Sequence, residues 1–205
     1  MTARGVRLRT GMLAALSALA LTVAGCADNT GSDGTFDFVA PGGQTTIFYD
    51  PPADRGTVGD ISGPDLMNEG EDIGLEDFTD QVVVLNLWGQ WCGPCRGEVP
   101  ELEKVAERTW DQGVRLLGIN VRDHQRTAAQ DFVRTNELTY PSIYDPAMRT
   151  VISLGSFPTS VVPSTLVLDR DHRVAAVFLK PLSAEELQPV VERIAAESGD
   201  GGSAG

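Results

Sequence analysis

An apolar, β-branched run at residues 82–87 leads almost directly into the pentapeptide WCGPC at residues 91–95. A run of this kind is typical of a strand that is buried on both faces of a sheet. The residues that follow predict a helix from Cys92 to about Trp110, with one apolar face and a kink at Pro100, where proline removes a backbone donor. The chain is therefore predicted to pass from a buried strand straight into a helix that carries two thiols in its first turn.

The predicted helix start favours the thiolate form of Cys92. Unpaired backbone N–H groups and the positive end of the helix dipole meet there, and such a site lowers a thiol pKa from about 8.5 to about 7. Cys92 is therefore the predicted nucleophile, and its sulfur is expected to be ionised and accessible. Cys95, one turn deeper, would attack a mixed disulfide formed on Cys92 and resolve it. The pair is predicted to cycle between a dithiol and a disulfide.

A zinc site and a structural disulfide are the alternatives to a redox pair. Zinc requires four ligands, and the rest of the sequence offers only Cys26, His124 and His172, at unrelated spacings. We therefore expect no metal site, and we expect both histidines to be solvated surface residues. A purely structural disulfide stays open, although the Gly-Pro dipeptide and the preceding tryptophan are more typical of a redox site.

The first 25 residues have the pattern of a secretory signal peptide. Three arginines precede an apolar run at residues 12–23, and small residues lead to Cys26. This run is too short for a transmembrane helix, which takes about 20 residues. The segment VAGC at residues 23–26 resembles the bacterial lipobox, which implies cleavage before Cys26 and its acylation; an ordinary signal peptide with an incidental cysteine is the alternative. Several acyl chains hold a protein stably on a membrane, so we expect a lipid anchor on the extracytoplasmic face.

The mature chain is predicted to be strongly acidic. Removing residues 1–25 takes away three of the 16 basic side chains and none of the 29 acidic ones, which leaves a formal charge of −16. Nucleic acids and anionic lipid surfaces are therefore poor partners.

Four segments are predicted after the signal peptide. Residues 26–35 are a lipidated cysteine and a flexible tether, and residues 36–54 are an extension with short strands or a hairpin. Residues 55–198 form one domain of ordinary size, and residues 199–205 are a disordered tail.

The rest of the domain alternates between strand and helix patterns. Its first part predicts parallel strands with helical crossovers, at residues 114–121 (strand), 127–135 (helix), 142–144 (strand) and 146–154 (helix). Residues 164–168 and 174–179 flank the turn sequence DRDH and predict an antiparallel hairpin. A last helix opens with a capping box formed by Ser183 and Glu186.

This order of elements resembles the thioredoxin fold, with WCGPC between the first strand and the helix and a late proline before a strand hairpin. The lipobox, the run CGPCRGEVP at residues 92–100 and the long stretch before the late proline resemble the TlpA/ResA branch of membrane-anchored thiol-disulfide oxidoreductases. The resemblance implies an α/β protein with a central mixed sheet flanked by helices. It also implies an N-terminal strand or hairpin extension, and an insertion between the CxxC helix and the cis-proline strand.

The resemblance further implies a cis-proline that faces the cysteine pair. Pro158 and Pro163 compete for this role, and we prefer Pro163 because it directly precedes the apolar strand at residues 164–168. A cis bond would hold Val162 so that its backbone can pair with an extended substrate. The predicted substrate-binding residues are thus Trp91, Gly93, Pro94, Val162 and Pro163.

One position departs from thioredoxin itself. Asn86 stands where thioredoxin has a buried aspartate that moves protons for the deeper thiol, and an asparagine cannot act as that base. Glu98 matches the glutamate of the TlpA/ResA branch and is predicted to be the third catalytic residue, beside Cys92 and Cys95. The alternative for Glu98 is an exposed acid in the first turns of a helix.

The direction of the chemistry is predicted from the dipeptide between the cysteines. Gly and Pro add no charge that would stabilise a thiolate, which favours a potential near the reducing value of about −270 mV over the oxidising value of about −120 mV. The resemblance implies a reductase of the haem-attachment thiols of apocytochrome c. It would use electrons from a membrane thiol-disulfide donor and no cofactor beyond its own disulfide. General oxidative folding or isomerisation, and a peptide-binding lipoprotein with a structural disulfide, are the alternatives.

Overall fold

The computed structural model describes residues 34–197. The predicted signal peptide, Cys26, most of the predicted tether and the last eight residues lie outside this range. Within it, no helix has the length and apolar character needed to cross a membrane.

The order of strands and helices agrees closely with the sequence pattern. The strands are β1 Thr46–Phe48, β2 Ser62–Pro64, β3 Asp72–Gly74, β4 Val82–Trp88, β5 Val114–Val121, β6 Ser142–Asp145, β7 Ser164–Leu168 and β8 Val174–Phe178. The helices are α1 Gly93–Thr109, α2 Arg126–Thr135, α3 Arg149–Ile152 and α4 Ala184–Ala195. Helix α1 contains Pro100 and continues through it.

Six strands form one mixed sheet in the order β1-β8-β7-β4-β5-β6. The pairs β4–β5 and β5–β6 are parallel, whereas β4–β7, β7–β8 and β8–β1 are antiparallel. The mixed sheet and the predicted β7–β8 hairpin are thus confirmed. The N-terminal extension contributes the edge strand β1, while β2 and β3 form a separate two-stranded hairpin.

Strand β4 lies at the centre of the core, and all seven of its residues are buried. Successive side chains of a strand point to opposite faces. Accordingly, Val83, Leu85 and Leu87 pack in one apolar cluster with residues of β5 and β7. Val82 and Val84 pack on the other face with residues of α1 and α4. This double burial explains the apolar run, and it fixes the strand end from which the cysteine loop departs.

The helix predicted at residues 146–154 is wrong in extent. Helix α3 covers only Arg149–Ile152, because Met148 has a left-handed backbone conformation (φ 57°) that a helix cannot include. The Asp145 carboxylate accepts hydrogen bonds from the backbone N–H groups of Arg149 and Thr150, at 2.8 and 2.7 Å. The segment therefore bends at Met148 before a single helical turn.

A buried arginine fastens the N-terminal extension to the sheet and to the end of α4. The Arg55 side chain is fully buried and forms salt bridges with Asp50, Asp169 and Glu197, at 3.0, 3.1 and 2.6 Å. Its Nε also donates to the carbonyl of Tyr49 at 3.1 Å. Three carboxylates around one guanidinium satisfy its donors, which a buried charge requires.

Candidate redox site

Cys92 and Cys95 are joined by a disulfide at the start of α1, with their Cα atoms 5.3 Å apart. Cys92 is the N-cap residue of the helix, and its Sγ accepts a hydrogen bond from the backbone N–H of Cys95 at 3.2 Å. The sulfur therefore lies among the unpaired N–H groups of the first helical turn, where negative charge is favoured. The structure places Cys92 as the sequence predicted.

The accessibility of Cys92 differs from our expectation. In this disulfide form Cys92 is only 3% exposed and Cys95 only 1%. Both belong to an apolar cluster that includes Leu66 from the turn after β2 and Trp88 from the end of β4. The expectation of an accessible sulfur is thus wrong for the oxidised state, because residues distant in sequence cover it.

The structure brings the cis-proline to the disulfide. The Val162–Pro163 peptide bond is cis, and the Val162 carbonyl oxygen lies 3.8 Å from Cys92 Sγ. Within residues 34–197 the other cis bond precedes Pro51, so the competing position Pro158 is not a cis-proline. The preference for Pro163 is therefore correct in geometry.

The remaining residues of the WCGPC loop face outward. Gly93 and Pro94 are exposed, and the Trp91 side chain is 44% exposed while its Nε1 donates to the Val121 carbonyl at 3.0 Å. The backbone N–H of Gln90 donates to the Asp123 carboxylate at 2.8 Å. The loop is thus held by the carboxyl end of β5, the parallel neighbour of β4.

Sequence reasoning missed Val121 and Asp123 as supports of the loop. A signal was present, since the carboxyl ends of adjacent parallel strands lie at the same edge of a sheet. A polar residue directly after β5 is therefore expected near the loop after β4. Asp123 is 3% exposed, and it also accepts a hydrogen bond from Asn120 Nδ2 at 2.7 Å.

Glu98 is a buried acid, 2% exposed, one helical turn after Cys95. Its Oε1 accepts a hydrogen bond from the Leu182 backbone N–H at 3.0 Å, and its Oε2 accepts one from Asn86 Nδ2 at 3.3 Å. Burial raises the pKa of Glu98 to about 7, although both hydrogen bonds oppose the rise. The alternative of an exposed helix acid is wrong. A carboxyl with this pKa can take up or release a proton near neutral pH.

Asn86 supports Glu98 instead of titrating. Its Nδ2 donates both to Glu98 and to Thr165 Oγ1, the latter at 3.1 Å, and Asn86 and Thr165 are paired across β4 and β7. Thr165 lies two residues after Pro163, so this polar group links the acid to the cis-proline strand. The sequence predicted that Asn86 could not be a base, but it did not predict this link.

The histidines do not contribute to the site. His124 is exposed, as expected. His172 is only partly exposed, and its Nε2 lies 3.1 Å from the Phe78 carbonyl. His172 is thus a surface residue, as expected, but one ring nitrogen contacts the backbone. In the part of the chain that the structure describes, no three His, Cys, Asp or Glu side chains are grouped so as to hold a metal ion.

Comparisons with known proteins agree with this geometry. The model of the AhpC/TSA family matches residues 57–177. A solved structure described as a secreted thiol-disulfide isomerase from Corynebacterium glutamicum is 50% identical, covers 80% of this chain and 99% of its own, and superposes with a TM-score of 0.77.

Two curated relatives are more distant. The thiol:disulfide interchange protein DsbE of Allochromatium vinosum is 30% identical over 65% of this chain and 73% of its own. The thiol-disulfide oxidoreductase ResA of Bacillus cereus is 26% identical over 62% of this chain and 70% of its own. The chain therefore belongs to the AhpC/TSA family and is a thiol-disulfide oxidoreductase with a thioredoxin fold, similar to ResA and DsbE.

Proposed function

We propose that this protein works outside the cytoplasm as a disulfide reductase of polypeptides, with the haem-attachment cysteines of apocytochrome c as its substrate. The observation that carries the proposal is the 3.8 Å separation between Cys92 Sγ and the Val162 carbonyl oxygen. An extended substrate that pairs with the Val162 backbone would bring its own disulfide to Cys92. The similarity to ResA and DsbE supports the assignment.

The proposed reaction moves two electrons from the enzyme to the substrate, and the two released substrate sulfurs take up one proton from Glu98 and one from water. The Cys92 thiolate attacks one sulfur of the substrate disulfide, which forms a mixed disulfide and releases the other substrate sulfur as a thiolate. Cys95, deprotonated by Glu98, then attacks Cys92. The substrate leaves as a dithiol, and the enzyme is left with the disulfide seen here. A membrane thiol-disulfide donor would reduce it again.

Glu98 suits this role through its place and its pKa. It lies one turn after Cys95 on α1, and burial raises the pKa of its carboxyl to about 7. A base is most effective when its pKa is close to the working pH. The exposed residues Trp91, Gly93 and Pro94 would form the surface around Val162 that contacts the substrate. Pro163 is buried and would act by holding Val162 in place, and no further cofactor enters the reaction.

A second candidate is a disulfide isomerase or oxidant in oxidative folding. The Corynebacterium glutamicum relative, at 50% identity, is described as a secreted isomerase, which favours this candidate. The two roles differ in reduction potential. A measured potential near −270 mV would support the reductase, whereas a value well above about −180 mV would support the oxidant or isomerase.

Trapping the substrate tests the proposal directly. A Cys95→Ser variant cannot resolve the mixed disulfide and should accumulate partners bound through Cys92, and a Cys92→Ser variant is the matched control that should trap none. Recovery of a c-type apocytochrome carrying CxxCH would support the maturation role. If the double Cys92→Ser, Cys95→Ser variant retained the same partners non-covalently, the protein would be a peptide-binding module with a structural disulfide.

We also propose that Cys26 carries a lipid anchor and holds the domain at the outer face of the cell membrane. Cys26 lies outside the described residues, so the support is the lipobox pattern VAGC at residues 23–26. A Cys26→Ser variant should lose incorporation of labelled palmitate and appear in the soluble extracytoplasmic fraction. Unchanged membrane retention without label would contradict the anchor.

A further inference from the structure

The two sides of the redox site come from distant parts of the chain, and residues 121–123 contact both. One side is the WCGPC loop after β4, which is held through the Val121 carbonyl and the Asp123 carboxylate. The other side is the cis-proline loop, residues 159–163, which precedes β7. Arg122 lies between Val121 and Asp123 in the sequence, and it is the residue that contacts the cis-proline loop.

Arg122 bonds to the cis-proline loop through its guanidinium. Its Nη2 donates to the Thr159 carbonyl at 2.5 Å, and its Nε donates to Met148 Sδ at 3.1 Å. Thr159 stands three residues before Val162, whose carbonyl faces Cys92. Arg122 therefore connects the end of β5, the bend before α3 and the cis-proline loop.

The backbone at Arg122 explains how three consecutive residues serve two loops. Arg122 has a left-handed conformation, with φ 57°, which a non-glycine residue adopts at a cost. On either side of Arg122, the Val121 carbonyl and the Asp123 carboxylate both accept hydrogen bonds from the WCGPC loop and the residue before it. The Arg122 side chain turns to the cis-proline loop instead.

The contacts of Arg122 indicate positioning and not thiol chemistry. Both of its acceptors are uncharged, and its side chain is exposed. Among residues 34–197 its charge is paired with no carboxylate, unlike that of Arg55 or Arg126. Its effect on the site is therefore expected to pass through the loop that it holds.

We propose that Arg122 is a positioning residue that fixes the cis-proline loop beside the disulfide and so sets the affinity for polypeptide substrates. The inference rests on the proposed role of Val162 in substrate binding. Loss of Arg122 would leave the sulfur atoms and Glu98 in place and would loosen only the far side of the site. Binding of an extended peptide should then weaken. The reaction rate of a small disulfide should not change, because such a molecule does not pair with the cis-proline loop.

Single-turnover oxidation of the pre-reduced full-length protein tests the proposal. The two probes are a disulfide-bonded peptide containing CxxCH and 2-hydroxyethyl disulfide. For Arg122→Ala we expect the half-saturating peptide concentration to rise about tenfold, as for a lost hydrogen bond from a charged donor. The maximal rate, the rate with 2-hydroxyethyl disulfide and the reduction potential should stay at the wild-type values.

Two further variants sharpen the test. Arg122→Lys keeps one charged donor for the Thr159 carbonyl and should restore part of the peptide affinity. Arg134→Ala is the matched control, because the exposed Arg134 side chain bonds only to Asp131 within the described range, and it should match the wild type. The ratio of the half-saturating peptide concentrations of Arg122→Ala and the wild type should not depend on salt, since the contact is a hydrogen bond to a neutral carbonyl.

An unchanged half-saturating peptide concentration in Arg122→Ala would overturn the inference, as would equal losses with both probes, which would indicate a general structural defect. A ratio that collapses at high salt would show that Arg122 contacts the substrate by charge, and would also overturn it. If the wild type itself does not saturate with peptide, the proposed role of Val162 fails, and this is seen without any Arg122 variant.

Discussion

Asn86 Nδ2 donates a hydrogen bond to Glu98 Oε2 at 3.3 Å, and both side chains are buried. The same nitrogen donates to Thr165 Oγ1, so the acid on α1 is coupled to the strand that follows Pro163. A carboxylate that accepts hydrogen bonds is favoured in its charged form, whereas burial disfavours that form. In Glu98 burial has the larger effect, and the pKa rises to about 7.

The raised pKa of Glu98 predicts a pH dependence of stability. The native protein keeps the proton up to about pH 7, whereas the unfolded chain releases it near the ordinary value of 4.5. This contribution to the free energy of unfolding is complete below pH 4.5 and is lost as the pH rises through 7, by about 3 kcal/mol in total.

A Glu98→Gln variant should abolish that pH dependence, because glutamine does not titrate. Denaturant unfolding of the wild type and the variant at pH 4.5, 6 and 8 measures it. As the pH rises, the free energy of unfolding of the wild type should fall relative to that of the variant. Parallel stability curves across this range would contradict the buried, titrating carboxyl.

Asn86→Asp should move the pH profile of the resolving step to higher pH. The change places a second carboxyl beside Glu98, and two carboxyls at hydrogen-bond distance share one proton, which raises the pKa of the pair. The measurement is the rate of release of a preformed mixed disulfide on Cys92 as a function of pH. We expect the pH midpoint to rise by about one unit. An unshifted midpoint would show that the residue at position 86 does not influence the proton transfer.

Gly89→Ala should displace the Trp91 indole. A Cβ at Gly89 would lie 2.6 Å from Trp91 Cε2, which is too close for an atom that is not bonded. Because the indole is 44% exposed, it can move outward, at the loss of its bond to Val121. Acrylamide quenching of tryptophan fluorescence should increase. Gly97→Ala, where a Cβ meets open space, is the control and should leave the quenching unchanged.

Arg55→Met should destabilise the fold by about 3 kcal/mol, since it takes away a partner of the buried Asp169 carboxylate. Asp169 is the most affected, because its side chain is 7% exposed and cannot regain water. Urea unfolding measures the loss, with Arg134→Ala as an exposed control. Equal stability of the two variants would mean that Arg173, which also contacts Asp169 at 3.2 Å, compensates.

Much of the fold was predictable because its elements have local signals. The strand β4, the helix α1 and the β7–β8 hairpin follow from apolar runs, cysteine spacing and turn residues that lie close together in the sequence. The prediction failed at residues 146–154, where the left-handed conformation of Met148 interrupts the helix. No local pattern marks that residue.

The sequence by itself determined the cysteine pair and its place at a helix start, because both depend on neighbouring residues, whereas the tertiary structure decided which of two prolines is the cis residue beside that pair. Only the tertiary structure decided the burial of Cys92, the pKa of Glu98 and the contact of Arg122 with the cis-proline loop. The partners of Glu98 and Asn86 lie 84 and 79 residues away in the chain. Hydrogen bonds of a buried side chain depend on which strands and helices meet around it, and that is set by the packing of the whole sheet.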